Sequence, residues 1–307
     1  MGTSYSVKIS RIPASLTEGQ LLTEIQQILK RINERMSTYL KDSEISMFNR
    51  AKTTDWIPVS SETALVVAAA LQTSRLTDGA FDITVGPLVD LWGFGPPTRE
   101  NDLPTDEAIR QTLQTVGYQH IAIKDSPPAL RKDHPEVQID LSAIAKGYAV
   151  DQVAEYLESV GIHDYLVEIG GELRAKGKNA QGVPWKVAIE KPDPRRRTVH
   201  RVLQLHNGGM ATSGDYRNFF EKDGRRYSHT IHPRTGRPVT HNLTSVTVIS
   251  HSTMQADALA TGLMVLGLQS GFQLAEQEKL AAHFIAFGEE GFQEKATSQM
   301  SQYTFRP

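Results

Sequence analysis

At 307 residues the chain can bury a sizeable core, as one large domain or two intimately packed halves, and with no cysteine it has no thiolate nucleophile, disulfide or cysteine metal site. A formal net charge of -2 and a pI near 6.6 leave no basic excess for a polyanion, so nucleic acid is not an expected partner. Arg195-Arg196-Arg197 is at most a patch for a small anion, no run approaches the length of a membrane-spanning helix, and the first residues lack the basic and apolar regions of a signal peptide.

Residues 4–9 alternate as a short strand. A helix is predicted from Leu16 to Met36, opened by the capping-box spacing of Ser15 and Glu18 and buried along Leu21, Ile25, Ile28, Leu29, Ile32 and Met36. From Met36 to Asn49, hydroxyls and apolar anchors mix without a clean period; the stretch reads as an ordered loop, with Tyr39 as packing. An Ala-rich helix follows from Glu62 to Leu76. Ala80 to Pro97 sets glycines and prolines among large apolar groups, an irregular segment whose glycines let backbone approach a ligand. A third helix, Asp106 to Val116, leads to strands near His120–Ile123 and Val137–Leu141.

Asp140-Leu-Ser-Ala-Ile-Ala-Lys-Gly147 then runs from strand into a helix reaching Val160, with Ser142 placed as N-cap. A helix N-terminus suits phosphate; a routine capped helix is the alternative. Leu166–Ile169 and Glu172–Ala175 flank Gly170-Gly171, further strands lie at Trp185–Ile189 and Val199–Leu205, and Asn218–Tyr227 reads as a hairpin turning at Asp223-Gly224. Next comes Tyr227-Ser-His-Thr-Ile-His-Pro-Arg-Thr-Gly236, which leaves a strand and turns sharply, because Pro233 biases His232 to extended backbone and Gly236 can take positive φ. His229 sits at the strand end, where rigid backbone can present a catalytic side chain; taken alone, such a turn is more often an ordinary surface loop.

Thr244–Ser250 alternates as a strand, and a helix from Thr253 to Leu266 places Asp257 and Thr261 one turn apart amid Ala258, Leu259, Leu263 and Met264. A carboxylate there needs a cation or a donor. A helix near Phe272–Glu276 and a strand near His283–Phe287 carry no visible chemistry. Oxygen ligands without cysteine favour Mg²⁺; His229 and His232 are three apart, but the turn between them is not helical and does not suit zinc. Strands followed by a long helix recur, before Gly161 and before Gly267, as two similar halves would.

Taken in order, Met1-Gly-Thr-Ser-Tyr-Ser-Val-Lys, Met36-Ser-Thr-Tyr with Asp42-Ser-Glu, Asp78-Gly-Ala-Phe-Asp-Ile-Thr-Val-Gly-Pro-Leu-Val and Leu91-Trp-Gly-Phe form a recognisable series. It continues with Asp140-Leu-Ser-Ala-Ile-Ala-Lys-Gly-Tyr-Ala-Val-Asp, Gly170-Gly-Glu, Ser228-His-Thr-Ile-His-Pro-Arg-Thr-Gly and Ala256-Asp-Ala-Leu-Ala-Thr. Along nearly its full length the chain resembles the ApbE family of FAD:protein FMN transferases.

That resemblance implies transfer of FMN from FAD to a Thr or Ser hydroxyl of an acceptor protein through a phosphoester, with AMP released and Mg²⁺ assisting. By position it implies Asp257 and Thr261 as metal ligands, with Ala143 as a third through its backbone carbonyl. It implies nucleotide contacts at Met1, Tyr39, Ala80, Phe81, Asp82, Asp140, Lys146 and Ile231, and an essential histidine at His229. Many relatives have Asp at the place of His232, whose role stays open, and some carry a further carboxylate at the place of Ala260, which implies a more hydrated metal shell here.

The implied fold is α+β, two related T-fold-like halves packed as one unit over 1–307, meeting near 161–200, with a nucleotide cleft between them. Acceptor subunits of membrane redox pumps are the implied partners besides FAD. The implied location is the periplasm, or the inner membrane through a lipid anchor on a leader preceding this sequence; a cytoplasmic location stays open. Residue chemistry supports pyrophosphate cleavage: Mg²⁺, Lys146 and a helix N-terminus can neutralise phosphate charge, and a neutral His229 can accept the acceptor hydroxyl's proton. With water in the hydroxyl's place the same site would split FAD into FMN and AMP, and a flavin-binding protein without turnover is a third possibility.

Overall fold

Seven strands assemble into one sheet in the order Tyr5–Ile9, Tyr165–Ile169, Glu172–Lys176, Asn207–Gly214, Leu243–Ser250, Ala281–Gly288, Gly291–Ala296, antiparallel at every step. The edge strand Tyr5–Ile9 alternates in burial, whereas strands such as Leu243–Ser250 are buried almost throughout because both faces of the sheet are covered. The structure, a computed structural model, describes residues 2–95, 103–193, 196, 198–215, 218–222, 224–288 and 291–303, the side chain of Arg225 excepted. Met1, Pro96, Pro97, Arg195, Arg197 and Asp223 therefore lie outside the described residues.

The described helices are α1 (Glu18–Met36), α2 (Glu44–Arg50), α3 (Ser61–Leu76), α4 (Gly86–Leu91), α5 (Asp106–Leu113), α6 (Ala145–Ser159) and α7 (Thr253–Gln277). Together with the sheet they make an α+β fold. α6 and α7 lie side by side, α6 across Tyr165–Ile169 and Glu172–Lys176, α7 across Asn207–Gly214 and Leu243–Ser250. The opposite face is covered by the hairpin Trp185–Glu190 and Val199–Leu205, whose Trp185, Val187 and Leu203 cluster with Leu173, Met210 and Ile249. α1 packs on α6 through Leu21, Ile25, Ile28, Ile32 and Met36, all buried. Each such side chain fully buried stabilises the fold by about 1.5–3 kcal/mol.

Local chemistry moves several expected boundaries. The cap of α1 is Thr17, boxed with Gln20, because Leu16 donates its N–H to the Pro13 carbonyl and the chain is still turning at Ser15. The 36–49 loop contains the start of α2, with Ser43 as N-cap accepting from Ser46. Val137–Leu141 forms no strand. Ile139 pairs through both its N–H and its carbonyl with the side chain of Asn49, and Asp140 donates to the Ile83 carbonyl, so a side chain and a loop replace a strand neighbour. The two last helices join into α7, kinked at Gly267 (φ 77°). At 25 residues α7 is long and apolar enough to cross a membrane by length and composition, unlike any run expected from sequence, and 56% of its apolar window is buried in this fold.

Candidate active site

α6 begins after Ile144, and no side chain of its own loop caps it. Ser142, the expected cap, instead donates its N–H to Asp140 Oδ1 at 2.8 Å, so the loop curls into an Asx turn ahead of the helix. The cap arrives from α7: Asp257 Oδ2 accepts the Gly147 N–H at 3.0 Å. Only glycine permits this approach, since a Cβ at position 147 would lie 2.4 Å from the Thr253 carbonyl oxygen. With Gly147 turned to Asp257, the Ala143 carbonyl one turn back accepts no backbone hydrogen bond among the described residues, and Ala143 lines the cleft.

Lys146 stands between two carboxylates, its Nζ 3.0 Å from Glu172 Oε1 and 3.6 Å from Asp257 Oδ1. Burial disfavours the ammonium, but Asp257 and Glu172 outweigh it and hold the lysine above its ordinary pKa. Glu172 is buried, and its Oε2 has no hydrogen-bond partner among the described residues. Burial, then the charge of Asp257, pushes its carboxyl above the usual range. Sequence reasoning did not assign Glu172 to the site; the available signal was a charge directly after Gly170-Gly171, at the start of a mostly buried strand.

A cleft of about 300 Å³ gathers most of the expected residues. Ala143, Lys146, Asp257 and Thr261 border it from α7 and the α6 start, Ala80, Phe81 and Asp82 from the segment after α3, and His229 and Ile231 from the turn, with Asp140 among them. Asp82 is tied within the protein: Oδ1 accepts from the Thr84 N–H and hydroxyl, and Oδ2 from the Tyr118 N–H. What it offers a ligand is therefore backbone. Burial raises its pKa against those hydrogen bonds.

His229 follows the strand Arg225–Ser228, as the turn chemistry predicts. Its Nδ1 donates to the Asn218 carbonyl at 2.9 Å, which leaves Nε2 as the basic nitrogen. Phe94 meets the ring edge-on at 6.3 Å between centroids. Burial depresses the histidine's pKa, with the Asn218 bond acting in the opposite direction. At neutral pH the ring is a neutral base.

A model of the ApbE family matches residues 1–284. The chain belongs to the ApbE family. It is 48% identical over 303 residues to an FAD:protein FMN transferase of Vibrio cholerae, covering 99% of this chain and 90% of the relative. A second FAD:protein FMN transferase, from Haemophilus influenzae, is 45% identical over 99% of this chain and 89% of its own length. Among solved structures, the flavin transferase ApbE from Vibrio cholerae superposes with a TM-score of 0.92 at 46% identity, covering 99% of this chain and 96% of that one. The apo flavinyl transferase ApbE of Pseudomonas stutzeri gives 0.91 at 41%, covering 100% and 95%.

Of the other positions singled out from the motifs, Tyr39, His232 and Ala260 do not line the cleft. Met1 lies outside the described residues. Tyr39 is 71% exposed rather than packed, and it borders two adjoining cavities that share Asp140 and Ser142 with the cleft. His232 is a turn residue: its Nδ1 accepts the Arg234 N–H at 3.2 Å and its carbonyl the Gly236 N–H at 2.9 Å. Ala260 is buried in the apolar cluster between α7 and the sheet, away from Thr261.

Proposed function

We propose that this protein transfers FMN from FAD to a Thr or Ser hydroxyl of an acceptor protein, forming a phosphoester and releasing AMP. The observation that carries the proposal is His229, whose Nδ1 is fixed on the Asn218 carbonyl while the ring borders the cleft that also holds Lys146 and Asp257. Nε2 can then take the proton of an attacking hydroxyl, and Lys146 can balance charge on the leaving phosphate. Relatives named FAD:protein FMN transferase at 48% and 45% identity support the same chemistry.

A divalent cation fits these residues. The Asp257 carboxylate, the Thr261 hydroxyl and the Ala143 carbonyl, which has no backbone partner among the described residues, are hard oxygen donors on one cleft. Mg²⁺ held there would neutralise phosphate charge when FAD is bound. The test is to incubate protein, FAD and Mg²⁺ with and without an acceptor subunit of a membrane redox pump. Flavin fluorescence on the denatured acceptor is the expected result; acceptor-independent FMN would identify a hydrolase, and retained FAD a carrier.

A further inference from the structure

Three cavities meet at the turn of Asp140 and Ser142: the cleft, a largely apolar space of about 680 Å³ beside Ile32, Met36 and Leu40, and a third of about 400 Å³. Lys146 borders the first two, and Ala143, Glu172, Asp257 and Thr261 border the cleft. None of these charge-handling groups borders the third cavity. His229 borders both the cleft and the third cavity, so it stands in the wall between them.

The third cavity has its own unmet chemistry. Lys41, Gln138 and Asn218 line it, and none of their side chains has a hydrogen-bond partner among the described residues. Sealing them under an apolar ligand would leave donors and acceptors unpaired, at a cost of about 1–3 kcal/mol each. An extended polypeptide supplies both kinds of group at every residue. The planar, mostly apolar flavin ring finds its better match in the cavity lined by Ile32 and Met36.

We propose that the third cavity receives the acceptor polypeptide, an extended segment passing Lys41, Gln138 and Asn218 that delivers its Thr or Ser hydroxyl to His229. This rests on the transfer reading above. At the wall, the hydroxyl proton passes to His229 Nε2 and the hydroxyl oxygen bonds to the FMN phosphorus. The bond from that phosphorus to the bridging oxygen breaks, and AMP leaves with the electron pair as its phosphate anion. Nucleotide and protein substrates thus reach the histidine from opposite sides.

The test uses Lys41→Glu and Gln138→Ala in the full-length protein, with FAD, Mg²⁺ and a redox-pump subunit carrying a threonine flavinylation site as probe. The expected result is an acceptor KM raised about tenfold, with the FAD dissociation constant, read by flavin fluorescence, changed less than about twofold. Melting temperatures check folding. Should Gln138→Ala unfold, Lys41→Glu, at an exposed position, decides alone. An unchanged acceptor KM overturns the inference while transfer stands. Weakened FAD binding assigns the cavity to the flavin and overturns it too. A wild-type protein that releases FMN without ever labelling the subunit removes the transfer reading, and this inference with it.

Discussion

Asp151 and Asp257 cap each other's helices: Asp257 on α7 accepts the Gly147 N–H of α6 at 3.0 Å, and Asp151 on α6 accepts the Thr253 and Met254 N–H groups of α7 at 3.0 and 2.9 Å. Two positive helix ends thus meet, each neutralised by a carboxylate from the other helix. The joint that locks α6 to α7 is also the wall of the cleft, because Asp257 belongs to both. Chemistry and fold stability are coupled through that one side chain, and substitutions can separate them.

Asp151→Ala should be among the more destabilising single changes in this chain. It removes the acceptor for two backbone amides and the Ser252 hydroxyl and takes the Arg174 guanidinium's 3.0 Å partner. Breaking a buried pair and a cap together should cost about 3 kcal/mol in denaturant unfolding. Asp151 does not border the cleft, so FAD affinity of the folded fraction should hold. A loss under about 1 kcal/mol would mean that water replaces the carboxylate at these amides.

Asp257→Asn and Asp257→Ala should part company. Asparagine keeps an oxygen for the Gly147 amide, whereas alanine leaves that amide buried and unpaired, at about 1–3 kcal/mol. Both remove the charge opposite Lys146 and the proposed cation donor. Denaturant unfolding should rank alanine clearly below asparagine, while Mn²⁺ titration should show both weakened alike. Equal unfolding curves would exclude the capping role.

The major strands and helices were legible because their apolar periods are clean, as in the α1 stripe from Leu21 to Met36. The strand Asn207–Gly214, central to the sheet, was not. Its Gly-Gly-Met-Ala-Thr-Ser-Gly carries no strand period, and Gly209 is small because Thr253 presses on it: a Cβ there would sit 2.3 Å from Thr253 Oγ1. That reason lies more than forty residues away in sequence. At the candidate site, turn chemistry put His229 at a strand end and helical spacing put Asp257 and Thr261 on one face, as the cleft lining has them, while the roles proposed for them came from the resemblance. Glu172 and the Asp257 cap of α6 were not, since each depends on which helix end meets which strand. Nor does the pattern that made Ser142 look like a cap reveal that Asp140 claims its amide.

The pH dependence of kcat/KM should follow His229. In the proposed transfer its neutral form is the base, and burial lowers its pKa from the ordinary 6.5. Activity should therefore be complete above that ordinary value and fall only as pH drops through the depressed one, where the ring gains its proton. A rate profile in FAD-limited assays gives the midpoint for the free enzyme. A midpoint at or above 6.5 would show that the ring is not held neutral by burial. His229→Ala should remove the limb altogether and lower the rate by about 10²–10⁴.

Gly147→Ala should reverse the usual sign of a glycine-to-alanine change. In an unstrained helix interior alanine is favoured over glycine by roughly 0.5–1 kcal/mol. Here the new methyl would meet backbone, at 2.4 Å from the Thr253 oxygen and 2.7 Å from the Met254 Cα, and backbone cannot rotate aside. α6 and α7 must separate, at a cost of about 1–3 kcal/mol. As they do, Asp257 loses the residue 147 amide, which becomes free to bond the Ala143 carbonyl in ordinary helical fashion. Two proposed cation donors are then disturbed by a residue that donates none. The expected outcome is a lower melting temperature together with weakened Mn²⁺ binding in the absence of FAD. A variant as stable as wild type with intact Mn²⁺ affinity would show that the helices tolerate the separation and that the Ala143 carbonyl does not depend on it.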